Sequence, residues 1–262
     1  MQNYIHPLRW NYYTEMEIIE KYYKSKNRLL LLDYDGTLIG LKKRPELAVP
    51  NGRIKNILHF LESDNKNRTV LISGRDYTEL AIWFKDLSLE IFAEHGAWGR
   101  KNKVWQSLVQ TKQEWKEKIL VLLQNFKRQA PFSLIENKSY SLAWHYRNCN
   151  KRKAEEIKEK IVALIKKIKE ENDYPISLLQ GDKVLEIKNK NVAKGNIVKE
   201  IIAKNEYDFI LSIGDDITDE SMFQQIPQKG ISIKVGEGKS YADYSIPSEK
   251  EVIILLMKLS LL

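Results

Sequence analysis

Four consecutive leucines, Leu29 to Leu32, run straight into Asp33-Tyr34-Asp35-Gly36-Thr37. Two carboxylates at the end of a greasy run need something to hold them, and the usual holders are a metal ion and a reaction. Two further apolar runs end in polar groups. Residues 69–72 lead into Ser73-Gly74-Arg75, and residues 209–213 into Gly214-Asp215-Asp216, with Asp219 close behind. Lys194 opens a helical segment ahead of the last run. If the runs are parallel strands, their ends share one edge of a sheet, where such folds place ligands. Gathering four or five carboxylates there is costly without a cation, and an oxygen-only ligand set suits Mg²⁺. A carboxylate beside Mg²⁺ can attack phosphorus and form an aspartyl-phosphate. A second carboxylate two residues on can protonate the leaving alcohol and then take a proton from water. A hydroxyl (Ser73), an ammonium (Lys194) and the metal can offset the charge of the phosphoryl oxygens.

The elements that must position these groups follow from the periodicity. Apolar strands at 29–33, 69–72 and 91–93 alternate with helices at 54–61 and 76–84, and a helix at 10–26 precedes them. This alternation predicts an α/β fold with a doubly wound parallel sheet. The grammar then changes. A helix over 110–129, strands over 132–138 and 141–147, a helix over 151–171, and a hairpin of 176–179 and 183–188 about Gln180-Gly181-Asp182 describe an inserted α+β cap domain. A helix over 192–204, strands at 209–213 and 231–233 and a closing helix over 252–261 return to the first pattern. The expected division is a split core of residues 1–100 and 190–262 around a cap of 101–189, hinged near 96–104 and 188–193.

Bulk properties narrow the class. The chain has 262 residues, 43% hydrophobic and 30% charged, which is ordinary globular composition. The single cysteine, Cys149, forbids an internal disulfide and fits a cytoplasmic setting. The start of the chain lacks the basic-then-apolar pattern of a signal peptide. The longest apolar stretch, 252–257, is too short to span a bilayer, so no membrane partner is expected. The net charge of +8 comes from lysines alternating with glutamates. With no basic stripe interleaved with aromatics, no nucleic-acid partner is expected either.

Each motif alone has a plain structural reading: a turn, or a helix cap with acids in its first turn. Their order after separate buried strands is more specific. Asp33-Tyr34-Asp35-Gly36-Thr37, Ser73-Gly74-Arg75, Lys194-Gly195 and Gly214-Asp215-Asp216-Ile217-Thr218-Asp219-Glu220 resemble the four motifs of the haloacid dehalogenase superfamily of phosphatases. Glu94-His95-Gly96, Ile135-Glu136-Asn137-Lys138, His145-Tyr146-Arg147, Val184-Leu185-Glu186-Ile187 and Thr218-Asp219-Glu220-Ser221-Met222-Phe223 narrow the resemblance to the trehalose 6-phosphate phosphatase family, from about residue 25 to the end.

The resemblance implies Mg²⁺-dependent hydrolysis of trehalose 6-phosphate, the last step of trehalose biosynthesis. It implies Asp33 as nucleophile and metal ligand, and Asp35 as acid/base that binds metal through its carbonyl. Ser73 and Lys194 would hold the phosphoryl group, Asp215 would ligate metal, and Asp216 and Asp219 would support it. Arg75 and His95 would lie near the sugar phosphate, with Glu136, Lys138 and Glu186 on the sugar hydroxyls and Arg147 near them. Ala193 departs from the family, where Asn is common before the Lys-Gly pair.

Strand alternation agrees that Glu136 and Lys138 share a face, that Glu186 points away from Leu185 and Ile187, and that His145 and Arg147 point away from Leu142, Trp144 and Tyr146. Alternation alone fits solvated cross-strand ion pairs worth under ~1 kcal/mol each; the resemblance turns it into sugar binding. The alternatives are a phosphatase of another glycosyl phosphate, and a catalytically silent sugar-phosphate sensor partnering a trehalose-phosphate synthase. The intact acids oppose the silent reading.

Overall fold

A computed structural model describes residues 4–42, 44–109, 114–181 and 183–261. The expected helix start at 110–113 and Asp182 of the hairpin turn lie outside the described residues. The chain forms two compact units, Met1–Leu108 with Ala193–Leu262, and Val109–Val192.

The larger unit begins with β1 (Leu8–Arg9), α1 (Tyr12–Lys24), β2 (Arg28–Leu32), α2 (Gly52–Ser63), β3 (Asn67–Ile72), α3 (Tyr77–Trp83), β4 (Glu90–Ala93), β5 (Trp98–Lys101) and β6 (Val104–Ser107). The smaller unit follows with α4 (Glu114–Gln129), β7 (Leu134–Asn137), β8 (Ser141–His145), α5 (Lys151–Asn172), β9 (Ile176–Gly181) and β10 (Val184–Asn189). The larger unit resumes with α6 (Lys194–Ala203), β11 (Phe209–Gly214), α7 (Glu220–Phe223), β12 (Ile231–Val235), β13 (Tyr244–Ile246) and α8 (Glu249–Ser260).

Among the described residues, the larger unit's sheet has nine strands in the order β1-β13-β12-β11-β2-β3-β4-β5-β6. Neighbours from β1 to β4 are parallel, and β5 and β6 close the edge antiparallel. The leucine run is the central strand: β2 pairs with β3 on one side and β11 on the other, and all four leucines are fully buried. Leu30 and Leu32 pack into one apolar cluster and Leu29 and Leu31 into another, so both faces of the strand are covered. Side-chain caps start the flanking helices: Asp76 accepts from the Thr78 amide and Ser248 from the Lys250 amide.

The expected boundary at residue 100 falls inside the β5–β6 hairpin, which belongs to the larger unit's sheet. Its two-residue turn, Asn102-Lys103, takes positive φ at both positions, a conformation that glycine usually signals. Asn102 suits that conformation, but Lys103 stands where glycine usually follows, so the turn chemistry of the sequence signals the hairpin only weakly. The two- and three-residue strands β1 and β13 likewise escape periodicity.

The smaller unit has a four-stranded antiparallel sheet, β7-β8-β10-β9. Trp115, Ile119 and Leu123 of α4 and Ile157, Ile161 and Ile165 of α5, spaced one turn apart, bury against Leu142, Trp144, Leu185 and Ile187. Trp144 is fully buried and stacks on Tyr146 at 4.7 Å between centroids. Trp144→Ala is expected to cost about 3–5 kcal/mol by cavity creation, read as a lower midpoint in urea unfolding.

Candidate active site

The three apolar runs do end at one edge. Asp33 follows β2, Ser73 follows β3 and Asp215 follows β11, and β2 lies between the other two. The Asp33 amide bonds the Ile213 carbonyl at 3.0 Å, extending the ladder to the carboxylate. Carboxylate oxygens of Asp33, Asp215 and Asp219 lie within 4.8 Å of one another.

Lys194 enters this group from the first turn of α6. Its ammonium is 2.6 Å from Asp33 Oδ1 and 2.7 Å from Asp219 Oδ1, and all three side chains are buried. Asp219 Oδ2 turns back to accept from the amides of Asp215 and Asp216, both at 3.0 Å. One buried carboxylate thus folds its own loop and holds the lysine. Ala193, the N-cap of α6, offers no side-chain acceptor. Ser221 Oγ accepts from the Gly195 amide instead, at 3.1 Å. The departure at Ala193 is therefore offset by a residue from α7. Gly195 lets the two helices meet: a Cβ there would sit 2.3 Å from the Ser221 carbonyl oxygen.

Gly36 is required twice. Its φ is +79°, and a Cβ would lie 1.9 Å from Asp215 Oδ2. Thr37 Oγ1 stands 3.5 Å from Asp215 Oδ1, and Lys234 donates to the Asp215 carbonyl at 2.8 Å. Lys234 is placed by register, since it pairs with Gly214 across β11 and β12. The motif reading missed it because that pairing is not visible along the chain.

Asp35 is handled differently. Arg75 grips its carboxylate with two bonds of 2.6 and 2.7 Å. The guanidinium also donates to the Pro45 carbonyl at 2.6 Å and lies over the Trp83 ring. Asp35 thus points its carboxylate at Arg75, and its carboxylate is not among the clustered oxygens. Arg75, expected near the sugar phosphate, has its donors directed at Asp35, Pro45 and Glu79. Asp216 is exposed and stands outside the cluster. Ser73 is buried, and its Oγ accepts from the Arg75 amide at 3.1 Å. His95 is buried with its ring against Gly74, and it and Glu94 both take left-handed backbone conformations.

The electrostatics show what the cluster lacks. Burial and Asp219 push the Asp33 carboxyl well above the ordinary carboxylate range. Burial and Asp219 push Asp215 up to about 7. Burial works against the Lys194 charge, but Asp219 and Asp33 outweigh it and hold the ammonium above its ordinary range. One lysine does not balance three carboxylates. An all-oxygen donor set with surplus negative charge fits a hard divalent cation.

In the smaller unit, Glu136 and Glu186 both stand opposite Ala143 across β7-β8-β10. Lys138 lies 3.8 Å from Glu136 and 3.9 Å from Glu186. Ser141 donates to Glu186 at 2.7 Å, and His145 Nε2 is 2.9 Å from Glu136 Oε2. Burial opposes the Glu136 charge, but His145 and Lys138 prevail and hold its carboxyl below the usual range. Arg147 lies past the end of β8 and is exposed.

The trehalose-phosphatase family model matches residues 31–250. The chain belongs to the trehalose-phosphatase family. It is 34% identical over 233 residues to a trehalose-phosphatase of Zygosaccharomyces rouxii, matching 80% of this chain and 26% of that one. It is 34% identical over 238 residues to the bifunctional trehalose-6-phosphate synthase/phosphatase of Thermoproteus tenax, matching 90% of this chain and 32% of that one. The chain thus spans about a third or less of these curated relatives. The C-terminal domain of the Candida albicans trehalose-6-phosphate phosphatase superposes with a TM-score of 0.85 at 28% identity, covering 99% of both chains. A haloacid dehalogenase-like hydrolase of B. subtilis shares the fold at a TM-score of 0.62 and 16% identity, covering 89% of this chain and 99% of that one. Among the described residues, no helix is long and apolar enough to cross a membrane.

The raised carboxyls set a pH dependence. A carboxyl whose folded pKa exceeds its unfolded value near 3.9 stabilises the fold at low pH. That contribution is lost as pH rises through about 7 for Asp215. A divalent cation reverses the loss by binding the ionised form. The thermal midpoint gain on adding Mg²⁺ is therefore expected to be larger at pH 8 than at pH 6. Gly36→Ala, which drives a methyl into Asp215, is expected to abolish the gain. Differential scanning fluorimetry with and without the cation reads both.

Proposed function

We propose that this chain is a Mg²⁺-dependent phosphatase that hydrolyses trehalose 6-phosphate to trehalose and phosphate. The observation that carries the reading is the buried Asp33–Lys194–Asp219 arrangement beside Asp215, on a chain of the trehalose-phosphatase family. Asp33, Asp215 and the Asp35 carbonyl would hold the cation, with Asp219 and Asp216 supporting its waters. The cation supplies charge neutralisation to the phosphoryl oxygens.

Asp33 attacks phosphorus with one carboxylate oxygen. The bond to the sugar oxygen breaks, and Asp35 gives that oxygen its proton, releasing trehalose and leaving an aspartyl-phosphate. Asp35, now ionised, takes a proton from water as the water attacks phosphorus. The bond to Asp33 breaks and inorganic phosphate leaves. Lys194 and Ser73 offset the charge on the phosphoryl oxygens in both steps. Both Asp35 oxygens face Arg75, so Asp35 must give up at least one of those two bonds to carry its proton to the leaving oxygen.

Glu136, Lys138 and Glu186 supply the sugar contacts, with Arg147 near them. Paired carboxylates with a lysine between them match adjacent hydroxyls, which both donate and accept. A synthase, in the same chain or a separate one, is the proposed supplier of substrate, because a relative's name joins both activities. A cytoplasmic location goes with this reading, in keeping with a chain whose single cysteine forbids an internal disulfide.

Phosphate release from trehalose 6-phosphate, glucose 6-phosphate and sucrose 6-phosphate, each with Mg²⁺ and with EDTA, tests the reading. Selective turnover of trehalose 6-phosphate is expected, abolished by EDTA and reduced at least about 10³-fold by Asp33→Asn. Preference for another sugar phosphate overturns the substrate; turnover that survives Asp33→Asn overturns the mechanism.

A further inference from the structure

We propose that His145 is a positioning residue that aims Glu136 at the sugar. The inference rests on the reading of the smaller unit's polar sheet face as the sugar-binding surface.

Each of the two carboxylates on that face has a directional partner. Ser141 donates to Glu186 at 2.7 Å and His145 faces Glu136 at 2.9 Å. Lys138 stands 3.8 and 3.9 Å from the two, too far for a hydrogen bond to either. It attracts both carboxylates without fixing where their oxygens point. Among the described residues, His145 is the hydrogen-bonding partner of Glu136.

The strand register makes the pairing a built one. Glu136 stands opposite Ala143 on β8, and His145 lies two residues further along the same face, diagonal to Glu136. Ala143, the residue directly across, is too short to reach the carboxylate, so the contact passes to the imidazole. The next residue, Tyr146, is stacked on Trp144 in the core, which anchors the strand end that carries His145.

Stability does not account for the pair. The Glu136 side chain is 45% exposed and that of His145 is 38% exposed. Exposed pairs of this kind contribute little to folding. Their effect falls on recognition: a glutamate with three rotatable bonds loses less freedom on binding when a neighbour already holds it. Nε2–H donates to the carboxylate in the Nε2-protonated neutral tautomer and in the imidazolium, so the device does not depend on the charge of His145.

The test is steady-state kinetics on trehalose 6-phosphate and on p-nitrophenyl phosphate, which lacks the sugar. His145→Ala is expected to raise KM for trehalose 6-phosphate about 5–10-fold, with kcat changed less than about 2-fold and p-nitrophenyl phosphate unaffected. His145→Gln, whose amide nitrogen reaches the same carboxylate, is expected to recover KM to within about 3-fold of the parent. Thermal midpoints of both variants are expected within about 2 °C of the parent. An unchanged KM in His145→Ala, an equal loss on both substrates, or no recovery in His145→Gln overturns the inference. Glu136→Ala separates the two levels. If it leaves KM for trehalose 6-phosphate unchanged, the sugar-binding reading itself fails. If it raises KM while His145→Ala does not, only the positioning role of His145 fails.

Discussion

The buried contact of Lys194 with Asp33 and Asp219 is the constraint on which the rest of the site depends. Three carboxylates from two strand ends cannot share a dry pocket unaided, and burial beside Asp219 raises the carboxyls of Asp33 and Asp215 above their ordinary range. The lysine offsets part of their charge and ties α6 to β2 and to the loop after β11. Asp219 uses its second oxygen to hold that loop by two amides. The arrangement keeps surplus negative charge, which fits the divalent cation proposed for it.

Around this centre the structure supplies backbone exceptions where side chains would collide. Gly36 leaves room for Asp215 and Gly195 for Ser221. His95 packs its ring into the space left by Gly74, from a left-handed backbone position. Strain here stays local because the strands beneath it are fully buried and paired on both sides. Arg75 holds the Asp35 carboxylate outside the cluster of Asp33, Asp215 and Asp219, although only one residue lies between Asp35 and Asp33. Neighbouring acids thereby keep different surroundings, as the proposed division into nucleophile and acid/base requires.

The smaller unit solves a different problem. Its helices cover one face of a four-stranded sheet with Trp144 and its neighbours, leaving the other face to polar groups. Alternation alone separated these faces, and the structure agrees at Leu142, Trp144, Leu185 and Ile187 on one side and Glu136, His145 and Glu186 on the other. Which polar group holds which was not legible, because His145 and Glu136 are nine residues apart and meet only through the β7–β8 register.

The sequence by itself determined the α/β core and the strand ends at which Asp33, Ser73 and Asp215 stand. Buried parallel strands announce themselves as apolar runs, and carboxylates after such runs are conspicuous. It did not determine the β5–β6 edge hairpin, whose turn uses Asn102 and Lys103 in place of glycine. It did not show that Arg75 serves Asp35, that Lys234 braces Asp215, or that Ser221 replaces the missing cap at Ala193. Those are contacts between residues far apart in the chain or on different strands. Only strand order, register and helix packing decide them, because hydrogen bonds depend on distance in space and periodicity records only position along the chain.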